Sequence, residues 1–136
     1  MLAAELHCHS ELSYDGRDAV ELLVEQAAAV GLDVLAVTDH DEIDASIDAA
    51  ELAAEYGLVG IVGMEVTSAA GHVLAFGIDE LVPSGLPFDE TLDRIREAGG
   101  IAVVPHPFQK TRHGVAAHVS RDQLASADAI EVYNSR

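Results

Sequence analysis

Short apolar runs of strand length alternate with amphipathic helical patterns along most of this 136-residue chain. The runs that we interpret as strands cover residues 3–6, 33–38, 58–62, 73–78, 101–104 and 129–133. The helical patterns cover residues 19–30, 41–56, 89–98 and 121–126. This alternation predicts right-handed βαβ units and a mainly parallel sheet, and therefore the α/β class. Such sheets carry their chemistry at the carboxyl ends of the strands.

The second helical pattern has a predicted start and a predicted buried face. Asp41 is an expected amino-terminal cap, because its carboxylate can accept a backbone N–H of the first turn. The residues expected on one buried face are Ile43, Ile47, Ala50 and Ala54.

Length and composition favour one compact domain over residues 1–136, since 49% hydrophobic residues can bury a sizeable core. No apolar run approaches the roughly 20 residues of a membrane span, and the amino terminus lacks a signal-peptide pattern. The single cysteine, Cys8, cannot form an internal disulfide, which fits a reducing compartment. We therefore expect a cytoplasmic protein with no membrane partner.

The chain carries 24 acidic side chains against seven Lys and Arg, a formal charge of −17. Such a charge repels a phosphate backbone, so we expect no stable binding of duplex DNA. The carboxylates are scattered over the helical patterns rather than collected in a tail, which suggests a surface suited to high salt. A halophilic source is the resulting prediction, and an ordinary acidic protein is the alternative.

Histidines and carboxylates lie at the predicted strand ends and in the adjoining turns. These residues are His7, His9, Asp15, Asp39, His40, Glu65 and His106, and His72 opens its strand. A single histidine in such a place is more often hydrogen-bonded or on the surface, but the collection favours a metal site. Imidazole mixed with carboxylate suits Zn²⁺, Mn²⁺ or Fe²⁺ better than Ca²⁺.

The spacing of these residues suggests two or three ions. His7 and His9 alternate on a strand, so both imidazoles can reach one ion while Cys8 faces the other side and packs. A second ion could be held by His72 and His106, with Glu65 bridging the pair. His72 shares that end only if its strand runs antiparallel.

Two acidic residues have alternative interpretations. Asp15 could hold a third ion together with His40, or it could simply form an Asp-Gly turn without metal. Asp39 adjoins His40, but neighbouring residues on an extended segment point apart. We therefore expect Asp39 to have a hydrogen-bonding or capping role.

Five motifs, taken in order, resemble those of the PHP (polymerase and histidinol phosphatase) family, and the resemblance covers essentially the whole chain. They are His7-x-His9, Thr38-Asp39-His40-Asp41, Gly63-Met64-Glu65-Val66-Thr67, His72-Val73-Leu74 and Val104-Pro105-His106-Pro107, followed by the similar strand Ile130-Glu131-Val132-Tyr133-Asn134.

The resemblance implies a distorted (β/α)₇ barrel with a two- or three-metal site, Mn, Zn or Fe, that hydrolyses phosphate esters. The implied ligands are His7, His9, Asp15, His40, Glu65, His72 and His106. Catalysis is expected to depend on Asp15, His40, Glu65 and His106, with a hydroxide shared between two ions attacking phosphorus.

Within the family, the chain looks most similar to small phosphoesterases that act on nucleoside 3′,5′-bisphosphates or on the 5′ end of short RNA. A histidinol-phosphatase-like hydrolase is an alternative. A metal-dependent amide hydrolase also uses His-x-His, but usually needs a carboxylated lysine, and the single lysine, Lys110, lies in a loop after a later strand.

The chain departs from the family pattern near its end. It stops at Arg136 before the late Asp-x-His motif, so two ligands are missing and about six of seven strands are supplied. We expect a barrel that is incomplete at its carboxyl terminus, either a fragment or a naturally short form. An inactive metal-binding module is the corresponding alternative, and the oligomeric state stays open.

Basic side chains are few and partly clustered. Lys110, Arg112 and His113 follow His106-Pro107 as the densest basic group, and Arg17 adjoins Asp15. We expect these four residues to contact the phosphate of a small phosphorylated substrate. The alternative is a solvated basic loop.

Overall fold

A computed structural model describes residues 1–134, which fall into two compact units, residues 1–64 and a second unit that begins at Glu65. The elements are β1 (Ala4–Cys8), α1 (Val20–Ala29), β2 (Val34–Val37), α2 (Asp44–Glu55), β3 (Val59–Gly60), β4 (Gly63–Ser68), β5 (Gly71–Phe76), α3 (Phe88–Glu97), β6 (Ile101–Val104), α4 (Arg121–Ala125) and β7 (Ala129–Ile130). Two short 3₁₀ helices, Lys110–Arg112 and Val115–Ala117, lie between β6 and α4.

The first unit is a parallel sheet in the order β1-β2-β3, as the alternating pattern predicts. Its core is a cluster that includes Val24 of α1 and Leu35 and Val37 of β2, all nearly inaccessible to solvent. Gly31 lies just beyond α1 at φ +82°, where a glycine ends the helix without the steric cost of a Cβ. Burial of this apolar surface gives the first unit a core of its own.

Helix α2 starts later than predicted, and its buried face matches the prediction only in part. Asp41 is in the left-handed region at φ +52°, and Glu42 Oε1 instead accepts the N–H groups of Ile43 and Asp44. The buried helical side chains are Ala45, Ser46, Ala49 and Ala53, whereas Ala54 is exposed and Ile47 and Ala50 are half-buried. Ile43, just before the helix, is buried as predicted, and the buried positions within the helix are small residues, which let it approach its sheet closely.

The second unit is a sheet in the order β4-β5-β6-β7, and it is mixed rather than mainly parallel. Strand β5 runs antiparallel to β6, and β6 runs parallel to β7. Phe88, Leu92 and Ile95 of α3 are buried in this unit. Because Leu74 pairs with Val103, the start of β5 lies beside the end of β6. The antiparallel direction that was required for His72 to lie near His106 is therefore present.

Several strand predictions need correction. Glu65 lies inside β4 (Gly63–Ser68), which the sequence did not predict, rather than after the third strand. Strands β3 and β7 are two residues each, much shorter than the predicted runs. Residues 1–134 form two sheets and no closed barrel, and the class is mixed α/β, as expected. In the same residues, no helix has the length and apolar character needed to cross a membrane.

Candidate metal centre

Four of the predicted ligands form a first cluster in residues 1–64: His7, His9, Asp15 and His40. His7 is the penultimate residue of β1, and His9 follows the end of that strand. The ring centroids of His7 and His9 are 5.4 Å apart, and those of His9 and His40 are 4.7 Å apart. The ends of the adjacent parallel strands β1 and β2 thus bring these imidazoles together.

Asp15 links two of these imidazoles through its two carboxylate oxygens. His9 Nδ1 lies 3.3 Å from Oδ1, and His40 Nε2 lies 3.3 Å from Oδ2. Burial alone would raise the pKa of Asp15, but the two histidines and a hydrogen bond from Ser13 hold that pKa below its ordinary value. Asp15 is therefore poised as an anion, the form that binds metal.

Ser13 also lies in the first cluster, although the sequence did not single it out as a site residue. Its hydroxyl accepts a hydrogen bond from the His40 backbone N–H at 3.2 Å and donates one to Asp15 Oδ1 at 3.0 Å. Its Oγ also lies 3.2 Å from His9 Nδ1, and the residue is buried. The sequence signal for this residue is a serine two positions before Asp15. That spacing is common in turns, so it does not by itself indicate a site.

The loop that presents Asp15 is fixed by buried hydrogen bonds. The Asp39 carboxylate accepts the backbone N–H of Ser10 at 2.6 Å and also the Ser10 hydroxyl, and both residues are buried. Ser10 pairs with Asp18 as an isolated bridge, which joins the two ends of this loop. A Cβ on Gly16 would collide with the Ser10 carbonyl, so the fold needs glycine at this position. Asp39 therefore has the hydrogen-bonding role that the sequence predicts.

An exposed aromatic ring lies against the first cluster. Tyr14 stacks on His40 with ring centroids 4.6 Å apart and an interplanar angle of 16°. The tyrosine is 79% exposed, whereas the His40 side chain is only 7% exposed. The ring limits the orientations that the His40 imidazole can adopt.

A second cluster, Glu65, His72 and His106, lies in the second unit and is more deeply buried. Glu65 Oε1 lies 3.0 Å from His72 Nδ1 and 3.1 Å from His106 Nε2. The three side chains are 1%, 6% and 3% exposed, respectively. The antiparallel β5 brings His72 to this position, since its first residues lie beside the end of β6.

The donor atoms in both clusters fit a divalent ion of the zinc, manganese or iron type. Ligands about 2.0–2.1 Å from one ion in tetrahedral geometry are about 3.3 Å from one another. The imidazole-to-carboxylate distances of 3.0–3.3 Å agree with that separation. Imidazole nitrogens combined with carboxylate oxygens also match the preference of these metals.

Of the four predicted phosphate-binding residues, His113 contacts the second cluster directly. The His113 ring is 5.1 Å from that of His72, and its carbonyl accepts the His72 backbone N–H at 3.0 Å. Lys110 and Arg112 lie on a 3₁₀ helix, and Arg112 Nη1 donates to Asn134 Oδ1 at 3.1 Å. Arg17 is exposed in the loop after Asp15 in the first unit.

Cys8 has the packing role that the sequence predicts. Its side chain packs against the core of the first unit, and its Sγ donates to the Ala36 carbonyl at 3.5 Å. Burial, followed by the charges of Glu5 and Asp39, raises the pKa of Cys8 to about 12. A thiol held in its neutral form is a poor metal ligand.

Comparison with known proteins places the chain among PHP proteins. The PHP domain model matches residues 5–121. An uncharacterized protein of Methanocaldococcus jannaschii is 29% identical over 98% of this chain and 82% of its own length. A 5′-3′ exoribonuclease of Haemophilus influenzae is 38% identical over 73% of this chain, but this match spans only 37% of the exoribonuclease. An error-prone DNA polymerase of Mycobacterium tuberculosis matches 49% of this chain over 6% of its own length, at 46% identity.

Two solved structures show the same fold at low identity. A provisionally assigned metal-dependent phosphoesterase from Bifidobacterium adolescentis has a TM-score of 0.80 at 20% identity, covering 97% of this chain and 77% of that one. An amidohydrolase from Chromobacterium violaceum has a TM-score of 0.73 at 19% identity, covering 93% of this chain and 75% of that one. The family model spans most of the sequence and includes the histidines and carboxylates of both clusters. The chain therefore belongs to the PHP domain family.

Proposed function

We propose that this chain is a metal-dependent phosphoesterase that hydrolyses phosphate monoesters or diesters of small nucleotides. Its ligands for two or three divalent ions are the seven residues of the two clusters: His7, His9, Asp15, His40, Glu65, His72 and His106. Membership of the PHP family supports a hydrolase acting on phosphate esters.

The observation that carries the proposal is the buried Glu65 carboxylate, one oxygen of which lies within 3.1 Å of two imidazole nitrogens. Burial of a carboxylate is costly unless cations or hydrogen-bond donors compensate it. The two imidazoles beside it, those of His106 and His72, are themselves only 3% and 6% exposed. This buried group of side chains is suited to holding an ion. When bound, divalent ions supply Lewis-acid stabilisation of charge on the phosphate and activate water.

The protein's own residues hold and orient the substrate. Lys110, Arg112 and His113 lie in the segment that follows His106, and we assign them to the phosphate oxygens as charge-assisted donors. Arg17 is a further donor on the loop of the first cluster. Cations on these two loops compensate locally for the charge of −17, which would otherwise repel a phosphate dianion.

Two observations, the name of one relative and the net charge, support the proposed substrate class. The exoribonuclease relative is named for cleavage from the 5′ end of RNA, and its similarity covers most of this chain. A strongly acidic protein with only seven Lys and Arg is better suited to a small nucleotide or a short RNA end than to duplex DNA. We therefore propose nucleoside 3′,5′-bisphosphates and 5′-phosphorylated oligoribonucleotides as substrates.

The test is phosphate release from a nucleoside 3′,5′-bisphosphate by the Mn²⁺-loaded chain, with histidinol phosphate as the comparison substrate. We expect Glu65→Gln and His106→Ala each to lower kcat/KM at least about 100-fold, because even groups that only support a ligand change metal affinity or activity by 10–100-fold. The matched controls are Glu97→Gln and His118→Ala, exposed residues of the same unit. Full activity in both cluster variants, or equal losses in the controls, would overturn the proposal, and preference for histidinol phosphate would overturn the nucleotide assignment.

A further inference from the structure

His106 adopts a backbone conformation that needs external support. Its φ is +28°, in a region that residues with a Cβ rarely occupy. It also precedes Pro107, whose ring restricts the residue before it. The surroundings must therefore hold the conformation that directs the imidazole at Glu65.

Glu131 supplies one of the contacts that hold this conformation. The His106 backbone N–H donates to Glu131 Oε2 at 2.8 Å, a charge-assisted bond. The Glu131 backbone N–H in turn donates to the Val104 carbonyl at 2.8 Å. One residue just after β7 thus bonds to both sides of the turn at the end of β6.

The Glu131 carboxylate is itself oriented by a further pair of hydrogen bonds. Asn134 Nδ2 donates to Glu131 Oε2 at 3.0 Å. Arg112 Nη1 donates to Asn134 Oδ1 at 3.1 Å. A continuous chain of side chains therefore runs from the 3₁₀ helix of Arg112, through Asn134 and Glu131, to the backbone of His106.

We propose that Glu131, oriented by Asn134 and Arg112, is the positioning residue that fixes His106 for metal binding. The carboxylate accepts the backbone N–H of His106 and so stabilises its strained backbone conformation. In that conformation, Nε2 of His106 lies 3.1 Å from Glu65 Oε1. The inference rests on the proposed function in that it takes His106 as a metal ligand. It also links Arg112 to His106 through Asn134 and Glu131, in addition to the phosphate contact proposed for Arg112 above.

The chain offers a matched control for this role. Asp128 Oδ2 accepts the Ala102 backbone N–H at 2.8 Å, so it also joins β6 to the β7 segment through a carboxylate. That bond lies at the opposite end of β6 from His106. Removal of either carboxylate should lower stability, but only the bond of Glu131 contacts the strained turn.

The experiment compares Zn²⁺ affinity by calorimetric titration of the full chain, together with the imidazole NMR signals of His106 in the metal-free protein. We expect Glu131→Ala to weaken Zn²⁺ binding about 10–100-fold and to shift the His106 signals. Glu131→Gln should restore most of the affinity, because one oxygen accepts both hydrogen bonds and an amide oxygen can replace it. Asp128→Ala should leave both readouts as in the wild type.

Wild-type affinity and unchanged His106 signals in Glu131→Ala would overturn the inference. A loss of affinity in Asp128→Ala equal to that in Glu131→Ala would also overturn it, since the effect would then be general loosening of the sheet. Failure of phosphate release by the wild-type chain would contradict the proposed function alone, because the Zn²⁺ affinities are measured without substrate.

Discussion

At the scale of single residues, backbone strain coincides with the candidate site. The non-glycine residues of positive φ in residues 1–134 are Asp41, His106 and His113. Asp41 follows His40, His106 belongs to the second cluster, and the His113 ring packs on that of His72. Each such conformation costs about 1–3 kcal/mol and persists only where the surroundings impose it. All three residues therefore lie in or beside the two clusters.

Ser13 gives a residue-scale prediction for the first cluster. Ser13→Ala leaves the His40 N–H without its acceptor in a buried loop, which costs about 1–3 kcal/mol. We expect a lower melting temperature and a Zn²⁺ affinity reduced by about 10-fold or more, measured by thermal unfolding and calorimetric titration. Ser84→Ala, at an exposed serine, should change neither quantity. Wild-type affinity in Ser13→Ala would show that the hydroxyl does not orient the ligands.

Cys8 gives a prediction about reactivity. With a pKa of about 12, its thiolate fraction at pH 8 is roughly a thousandfold below that of an ordinary cysteine. We expect alkylation by iodoacetamide to be correspondingly slow in the folded chain and to become fast in denaturant. The rate should rise with pH beyond pH 9, since the folded pKa lies above the unfolded value. Rapid labelling of the folded chain at pH 8 would contradict the buried position.

At the scale of secondary-structure elements, the sequence predicted most strands and helices but not their arrangement in the second unit. The run 101–104 coincides with β6, because four apolar residues bounded by Gly100 and Pro105 have few alternatives. Strand β4 was missed since Glu65 interrupts its apolar pattern. The same residue was nonetheless predicted to be a metal ligand. A buried carboxylate within a strand thus interrupts the apolar pattern by which the strand is predicted.

The site itself was predictable to a similar degree. The members of the two clusters could be listed from the spacing of histidines and acids, although Glu65 lies inside β4 rather than at a strand end. No role was predicted for Ser13 or Glu131, because the contacts of Glu131 join segments far apart in the sequence and those of Ser13 depend on the conformation of a loop. The antiparallel direction of β5, on which the place of His72 depends, is likewise a property of tertiary pairing.

Gly114 gives a prediction at the scale of the turn after β6. A Cβ there would lie 2.6 Å from the carbonyl oxygens of both His106 and Pro107. Gly114→Ala should therefore cost about 1–3 kcal/mol and weaken Zn²⁺ binding by displacing His106. Gly57→Ala, at φ +75° with open space around it, should cost about 1–2 kcal/mol but leave binding intact. Equal Zn²⁺ affinities in the two variants would contradict this account of the turn.

At the scale of the whole molecule, net charge predicts a dependence on salt. A groove of about 460 Å³ in the first unit is lined by five exposed carboxylates, those of Glu11, Glu21, Asp48, Glu51 and Glu55. The net charge of −17 means that these carboxylates repel one another and the rest of the acidic surface. This repulsion should fall as the salt concentration rises, because the Debye length then shortens. The halophilic source stays a prediction, but the physical effect can be measured.

We expect the melting temperature to rise by about 5 °C or more between 0.01 and 0.5 M KCl, equivalent to roughly 1.4 kcal/mol for a chain of this size. The double variant Glu51→Gln, Glu55→Gln should reduce this rise. The control Glu90→Gln, Glu97→Gln removes carboxylates that pair with Arg94, so it should not reduce the rise. A melting temperature independent of KCl would show that surface repulsion does not limit stability.

We propose that the two histidine and carboxylate clusters bind divalent ions and that phosphate ester hydrolysis depends on them. The most direct measurement is phosphate release from a nucleoside 3′,5′-bisphosphate by chelator-treated chain during a titration with Mn²⁺. We predict negligible release without metal and a rise that saturates at two or three ions bound per chain. The same rate in chelator and in excess Mn²⁺, or no release at any metal concentration, would contradict the claim.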